Sequence, residues 1–381
     1  MPAKRHFHSF DALRFFAFFK VFLLHLPLMA FPVFNFLKSG GGTGVIFFFV
    51  LSGFLITYIL LHEKQSTKSI RLRSFYWRRI LRIWPLYYLM VAFALVTPYL
   101  LNSFHLAHSN EGYEPNWLMS VSFLENYQMI LTRDHPNVSP LGVTWSLCIE
   151  EHFYLVWGLI LYFLPSKKLP LVLLFCLVLA QVARVIFRQH NLPTIDLLTN
   201  IDYFAFGALP AWLLVMHQKS FEQRLSRIRW RLKIFFLVLT IFYVVISSNV
   251  SYWGQTDIEP TIFGLLFSLV LCCILSPTNE IRISDQNLFS RLGLFTYGMY
   301  LYHTIIINLM VHVFNSRHWN LDDGIPALAF GLTCLLLTII ISMISYHYFE
   351  RFFMKWKDRP TRKNVLSEES ISAFAAPESK N

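Results

Sequence analysis

The sequence predicts an all-α, polytopic integral membrane protein with about ten transmembrane helices and both termini in the cytoplasm. Three observations support this prediction: the composition, the recurrence of long apolar runs and the distribution of positive charge. Hydrophobic residues make up 55% of the 381-residue chain and charged residues 14%, whereas a soluble domain carries roughly 25% charged residues. Apolar stretches near the roughly 20 residues that cross a bilayer recur throughout. These features argue against an ordinary soluble enzyme.

Ten stretches are long and apolar enough to cross the hydrocarbon core when helix tilt is allowed. Residues 117–131 are too few and too polar to span, and we expect them to lie in the interface or to re-enter. A single membrane domain is expected over 12–353, between a cytoplasmic segment 1–11 and a cytoplasmic tail 354–381 that is first basic and then disordered. The predicted spans are 12–31, 44–61, 83–101, 143–164, 169–187, 201–217, 234–250, 260–277, 293–313 and 325–348.

The positive charges orient these spans. With the amino terminus inside, 26 of the 33 Lys and Arg residues fall in inner segments, four in outer loops and three within helices. Lys and Arg resist translocation, so this distribution favours both termini on the cytoplasmic side. The formal net charge of +11 therefore reflects topology in a lipid bilayer, and no nucleic-acid partner is expected.

The five cysteines all lie inside apolar stretches, with no CxxC pair and no His/Cys cluster at zinc spacing. Such a pattern is typical of buried thiols rather than of a disulfide framework or a structural zinc site. We expect no metal site.

The first predicted span contains ionisable residues. Inserting each of them into the membrane costs at least about 2.5 kcal/mol on insertion scales, so each is a candidate for a functional role. Arg14 and His25 are 11 positions apart, about three turns and about 16 Å along a helix. They share one face, with Arg14 near the cytoplasm and His25 beyond the midplane. The structural alternatives are an i, i+3 ion pair between Asp11 and Arg14 and a buried neutral imidazole at His25.

Two carboxylates, Glu150 and Glu151, lie in the fourth predicted span, one to two turns below the outer surface. At that depth either could meet His25 and orient its imidazole for proton transfer. The sequence does not separate them, although Glu150 shares a helix face with Ser146 and is narrowly preferred. The structural alternative is that one of them caps or neutralises Lys20.

Three arginines, Arg78, Arg79 and Arg82, fall within five positions at the entrance of the third span. Guanidinium groups bind phosphate bidentately, which predicts a phosphate clamp. Ordinary positive-inside flanking is the structural alternative.

Ser52 and Gly53 lie in the middle of the second span. Small residues at that depth usually mean close helix packing. A serine nucleophile would need a base, and none is evident in the sequence, so packing is the expected role.

Four sequence motifs, given at the end of this paragraph in chain order, together resemble the acyltransferase 3 family, the bacterial membrane-bound O-acyltransferases of surface and secreted polysaccharides. Further matches extend the resemblance over roughly residues 8–353, and Ala12, Phe15 and Phe352 depart from the family pattern. The four strings are Asp11-Ala-Leu-Arg14 with His25, Phe48-Phe-Val-Leu-Ser-Gly-Phe-Leu-Ile-Thr57, Arg78-Arg79-Ile-Leu-Arg82-Ile-Trp-Pro85 and Trp145-Ser-Leu-Cys-Ile-Glu150-Glu151-His-Phe-Tyr154; the later matches are Asp202 with Gly207-Ala-Leu, Tyr297-Gly-Met-Tyr-Leu-Tyr-His303 and His347-Tyr-Phe-Glu350-Arg351.

This resemblance implies a multi-pass enzyme of the bacterial inner membrane, without a permanently bound cofactor. Acyl-CoA, most often acetyl-CoA, would donate from the cytoplasm to a hydroxyl of a surface or exported glycan on the far side, and Arg14 and His25 would be essential. We expect three groups of site residues: His25, Glu150 and Glu151 for catalysis; Arg14, Arg78, Arg79 and Arg82 for the donor phosphates; and Trp145, Ser146, Tyr300, Tyr302 and His303 for the acceptor.

A transporter or flippase for a glycan or a lipid-linked precursor is the alternative function. It would favour internal repeats and helices broken by Gly or Pro at matching positions in two halves. The sequence shows no such self-similarity.

Overall fold

The computed structural model describes residues 7–27, 38, 40–103, 111–247, 259–278, 281–318 and 324–358. Of these residues 82% are helical, and these ranges contain no β-strand, which confirms the all-α prediction. The predicted disordered tail lies almost entirely outside the described residues. The helices are α1 (Phe10–His25), α2 (Thr43–Thr67), α3 (Leu72–Ser103), α4 (Trp117–Val121), α5 (Glu125–Thr132), α6 (Trp145–Phe163), α7 (Leu169–Gln189), α8 (Leu197–Met216), α9 (Gln218–Arg227), α10 (Trp230–Ser247), α11 (Glu259–Ile274), α12 (Leu288–Gly293), α13 (Thr296–Ser316), α14 (Gly324–Ser345) and α15 (Arg351–Met354).

Six helical segments in the described ranges are long and apolar enough to cross a membrane. The other four predicted spans coincide with α1, α10, α11 and α13, of which α1 and α11 have 16 residues each. The protein is therefore a membrane protein built from several apolar helices, while the count of ten spans and the side on which each terminus lies stay predictions. The six segments are Thr43–Thr67, Leu72–Ser103, Trp145–Phe163, Ser166–Gln189, Leu197–Met216 and Gly324–Met354.

Helices α2 and α8 form the centre of the bundle. In each of them, 72% of the most apolar 18-residue stretch is buried inside the protein, against 33% in the segment that contains α7. Two glycines allow their backbones to touch: a Cβ on Gly53 would lie 2.1 Å from the carbonyl oxygen of Phe204, and one on Gly207 would lie 1.8 Å from that of Val50. Small residues at a helix crossing permit such close approach in membranes, which confirms the packing role predicted for Gly53.

Helix α1 is fixed by two further close approaches. A Cβ on Gly44, at the start of α2, would lie 2.3 Å from the carbonyl oxygen of Ala17, and one on Gly293, at the end of α12, would lie 1.9 Å from that of Asp11. The first turns of α2 therefore pack beside the later turns of α1, whereas α12 packs beside its beginning. These contacts set the depth of every polar side chain on α1.

Residues 117–131, which were predicted to lie in the membrane interface or to re-enter, form two short helices, α4 and α5. Glu125, the first residue of α5, is fully buried and accepts hydrogen bonds from the Tyr113 hydroxyl (2.5 Å) and the Ser120 hydroxyl (2.5 Å). Burial and the hydrogen bond to Glu125 raise the pKa of Tyr113. The Tyr87 hydroxyl, on α3, donates to the Ser120 carbonyl oxygen (2.5 Å). Buried polar contacts therefore attach α4 and α5 to the rest of the bundle.

Candidate active site

A cavity of about 330 Å³ lies between α1, α2, α3, α6 and α13. This volume is at the low end of ligand pockets, which span roughly 300–1,000 Å³, and it suits a slender chain. Charged and hydroxyl side chains from five helices converge on an otherwise apolar wall. The polar residues of the lining are Asp11, Arg14, Ser52, Tyr58, Arg79, Arg82, Ser146, Glu150, Tyr154, Thr296, Tyr297 and Tyr300.

One end of the cavity, which we call the arginine end, contains Arg14, Arg79 and Arg82. Arg14 donates a hydrogen bond to Asp11, so the ion pair considered from the sequence is present, and both residues also line the cavity. The Arg79 guanidinium lies 5.4 Å from the centroid of the Tyr154 ring, within cation–π range. Three guanidinium groups on two helices thus share one space and can bind an anion together.

Arg78 is oriented differently from its neighbour Arg79. Its guanidinium donates to the Ser74 hydroxyl, 2.7 Å away on the preceding turn of α3, and Arg78 is not part of the cavity wall. The structure therefore brings together three of the four arginines that were predicted to hold the donor.

Glu150 belongs to the arginine end. Its Oε1 accepts a hydrogen bond from the Ser52 hydroxyl (3.0 Å), and its Oε2 accepts one from the Tyr154 hydroxyl (2.7 Å). Ser52 is nine residues into α2, about 14 Å below the start of that helix. His25 is the last residue of α1, beside the start of α2. The carboxylate and the imidazole thus lie at different depths.

Glu151 faces α3 instead. Its Oε2 accepts a hydrogen bond from the Trp84 indole nitrogen (3.0 Å), and its buried Oε1 has no hydrogen-bond partner among the described residues. Neither carboxylate contacts His25 in the described part of the chain. The two glutamates were predicted to lie one to two turns below the outer surface, and this prediction failed because α6 begins well inside the bundle. The ring of its first residue, Trp145, packs 6.5 Å from that of Phe49, six residues into α2.

His25 is paired with another histidine. Its ring centroid lies 5.0 Å from that of His303 on α13, with an angle of 64° between the planes. His303 is fully buried, whereas His25 is exposed. Lys38, between α1 and α2, acts electrostatically on His25, and burial lowers the pKa of its amine. We call His25 and His303 the histidine pair.

Tyr300 connects the cavity to the histidine pair. Its hydroxyl lies 2.6 Å from the Ser146 hydroxyl, and both residues line the cavity. Its backbone carbonyl oxygen lies 2.7 Å from Nδ1 of His303, one turn further along α13. Neither histidine lines the cavity itself, and Tyr300 contacts both the cavity and His303.

The five residues predicted for the acceptor are thus divided among three places. Ser146 and Tyr300 are at the cavity wall and His303 is beside His25. Tyr302 faces α14, where its hydroxyl donates to that of Ser345 (3.0 Å). Trp145 packs against Phe49 outside the cavity.

Sequence reasoning missed Ser52 and Tyr154 as polar members of the site. Tyr154 is four residues after Glu150, and this i, i+4 spacing is a usable signal for a hydrogen bond on one helix face. Ser52 contacts Glu150 across 98 positions, which no local pattern indicates.

The sequence model of the family described as "Acyltransferase domain" (Acyl_transf_3) matches residues 7–347. The chain belongs to this acyltransferase family. The resemblance found in the four strings is thereby confirmed, and the transporter or flippase alternative has no support from the comparisons.

Curated relatives point to the same chemistry. The peptidoglycan O-acetyltransferase OatA of Listeria monocytogenes is 29% identical over 389 residues, covering 95% of this chain and 57% of its own length. YrhL of Bacillus subtilis, provisionally named a peptidoglycan O-acetyltransferase, is 28% identical over 366 residues, covering 91% of this chain and 55% of its own. The chain therefore spans little more than half the length of these relatives. No solved structure matches it.

Proposed function

We propose that this protein is an O-acyltransferase of the bacterial cytoplasmic membrane. It would move an acyl group, acetyl in the first instance, from acyl-CoA on the cytoplasmic side to a hydroxyl of a cell-surface or exported glycan. Peptidoglycan is the first acceptor to examine, because OatA is named for it. The observation that carries the proposal is one cavity with three arginines at one end and a histidine pair beyond the other.

The dimensions of acyl-CoA suit this arrangement. A CoA ester has several negative phosphate oxygens and a slender arm that ends in the thioester. Arg14, Arg79 and Arg82 would bind the phosphates, since guanidinium groups match phosphate geometry and charge. Arg14 and His25 are separated by about 16 Å of helix, a distance that the arm would span once the hydrogen bond between Ser146 and Tyr300 opens.

His25 would then act on the acceptor. As a general base it takes the proton of the acceptor hydroxyl, the hydroxyl oxygen attacks the thioester carbonyl carbon, the carbon–sulfur bond breaks and the CoA sulfur receives the proton. Alternatively, a His25 nitrogen attacks the thioester carbonyl carbon, the carbon–sulfur bond breaks and CoA leaves as its thiolate. The acceptor hydroxyl oxygen then attacks the acyl carbon, the bond from that carbon to His25 breaks, and the hydroxyl proton passes to the thiolate. In both routes the Tyr300 hydroxyl, which donates to the Val143 carbonyl oxygen (3.1 Å) and lies 2.6 Å from the Ser146 hydroxyl, would turn away from these partners to donate to the developing oxyanion.

The test uses purified protein in lipid nanodiscs with radiolabelled acetyl-CoA and soluble peptidoglycan fragments. We expect label in the fragments with the wild-type protein, loss of transfer with His25→Ala, and full transfer with His190→Ala, which changes an exposed histidine at the end of α7. Equal transfer by the His25→Ala and wild-type proteins would contradict the proposed role of His25. Absence of acyl transfer and of thioester cleavage in the wild-type protein would contradict the function.

A further inference from the structure

The His303 ring has one satisfied and one unsatisfied nitrogen. Nδ1 lies 2.7 Å from the Tyr300 carbonyl oxygen, which can only accept, so Nδ1 carries the proton. Nε2 is then a lone-pair acceptor. It is buried and has no hydrogen-bond partner among the described residues, although buried polar atoms in native structures are almost always paired.

Among the described residues, three side chains have rings beside that of His303, and one of the three can present a ring N–H to that lone pair. Phe18 packs edge-on against the ring at 5.9 Å, and the Tyr300 ring lies at 5.8 Å. His25 lies closer, at 5.0 Å between centroids, and an imidazole can present an N–H. The two rings are near enough for rotation of the exposed His25 side chain to direct an N–H toward Nε2 of His303.

We infer that His303 is the positioning residue of His25: its Nε2 accepts the His25 N–H and thereby fixes the tautomer and the direction of the catalytic imidazole. This inference rests on the proposed function and deepens it. The role that sequence reasoning gave to Glu150 or Glu151 passes to a neutral imidazole. Such second-sphere partners set which nitrogen of a histidine is free to react.

The proton and electron balance is simple. The His25 nitrogen that faces His303 keeps its proton throughout, and the opposite nitrogen keeps its lone pair for the acceptor hydroxyl. When that nitrogen takes the hydroxyl proton, His25 becomes an imidazolium whose N–H remains bonded to His303. The gained proton then passes to the CoA sulfur as the carbon–sulfur bond breaks, and His25 returns to its starting tautomer.

Two conservative variants separate this role from a purely structural one. The amide of glutamine reaches the position of Nε2, so His303→Gln keeps an acceptor for His25. The amide of asparagine reaches the position of Nδ1, so His303→Asn keeps the bond to the Tyr300 carbonyl oxygen and loses the acceptor. Both variants preserve polarity at a fully buried site.

The experiment measures kcat and the KM for acetyl-CoA with peptidoglycan fragments, together with CoA binding by calorimetry. We expect His303→Asn to lower kcat by about 100-fold, the upper range for loss of a second-sphere partner, with KM and CoA affinity within about twofold. His303→Gln should retain kcat within about tenfold.

Two results would overturn the inference: a His303→Asn protein as active as His303→Gln, or loss of CoA binding in both variants. Loss of CoA binding in both variants would show that His303 stabilises the fold rather than positioning His25. A wild-type protein that transfers normally alongside any of these would leave the proposed function intact, whereas an inactive wild-type protein would overturn both.

Discussion

Replacing Arg79 by glutamine should weaken acyl-CoA binding far more than the same change at the adjacent Arg78. Arg79 lines the cavity and lies over the Tyr154 ring, so it can form charge-assisted hydrogen bonds to a bound phosphate. Hydrogen bonds to charged groups contribute about 1.5–3 kcal/mol. At about 1.4 kcal/mol per factor of ten, Arg79→Gln should raise the Kd for CoA roughly 10- to 150-fold.

Arg78→Gln is the matched control, because it removes the same charge one residue away. Arg78 donates to Ser74 and does not line the cavity, so we expect its Kd to change by no more than about threefold, the part that long-range screened charge supplies. Calorimetric titration of CoA into the nanodisc-bound protein measures both values. An equal rise in the Kd for CoA in the two variants would refute the reasoning, since it would show that the arginines act only as non-specific positive charge.

Two further substitutions test other parts of the account. Ser52 and Tyr154 both donate to Glu150, so Glu150→Gln keeps an acceptor for one of these hydroxyls and presents an NH2 group to the oxygen of the other. The change also removes a negative charge from the arginine end, so CoA should bind a few-fold more tightly and kcat should fall less than tenfold. A loss of kcat as large as that of His25→Ala would show that Glu150 acts in catalysis together with His25. Gly53→Ala places a Cβ 2.1 Å from the Phe204 carbonyl oxygen and should destabilise the fold by about 1–3 kcal/mol, the usual range for overpacking. Its control, Gly42→Ala, meets nothing within 4 Å, and similar melting temperatures for the two variants would contradict the close approach of α2 and α8.

The sequence was sufficient for the fold class, because apolar length and low charge are direct consequences of the bilayer as solvent. It was also sufficient for placing Arg14 and His25 at opposite ends of one helix, since helical periodicity fixes their spacing. Both are local properties of a single segment. The arginine end likewise followed from a local cluster, although the different orientations of Arg78 and Arg79 depend on which neighbouring helix each faces.

The partners across helices were not predictable in the same way. The expected contact between Glu150 and His25 depended on assuming that the fourth span starts at the outer surface. Helix α6 begins inside the bundle, and its carboxylates meet Ser52 and Trp84 instead. The depth of a helix is set by what packs above it and beside it, and one sequence does not contain that information. The pairing of His25 with His303, 278 positions apart, has the same origin.

The central claim is that one acyl donor extends from the arginine end to the histidine pair. A cryo-EM structure of the protein in nanodiscs with a thioether analogue of acetyl-CoA tests it most directly. The account predicts the phosphates within hydrogen-bond distance of Arg14, Arg79 or Arg82 and the acyl carbonyl carbon within about 4 Å of a His25 ring nitrogen. It also predicts that the arm separates the Ser146 and Tyr300 hydroxyls, which are hydrogen-bonded without it. An analogue whose acyl end points away from His25, or whose phosphates lie outside the arginine end, would contradict it.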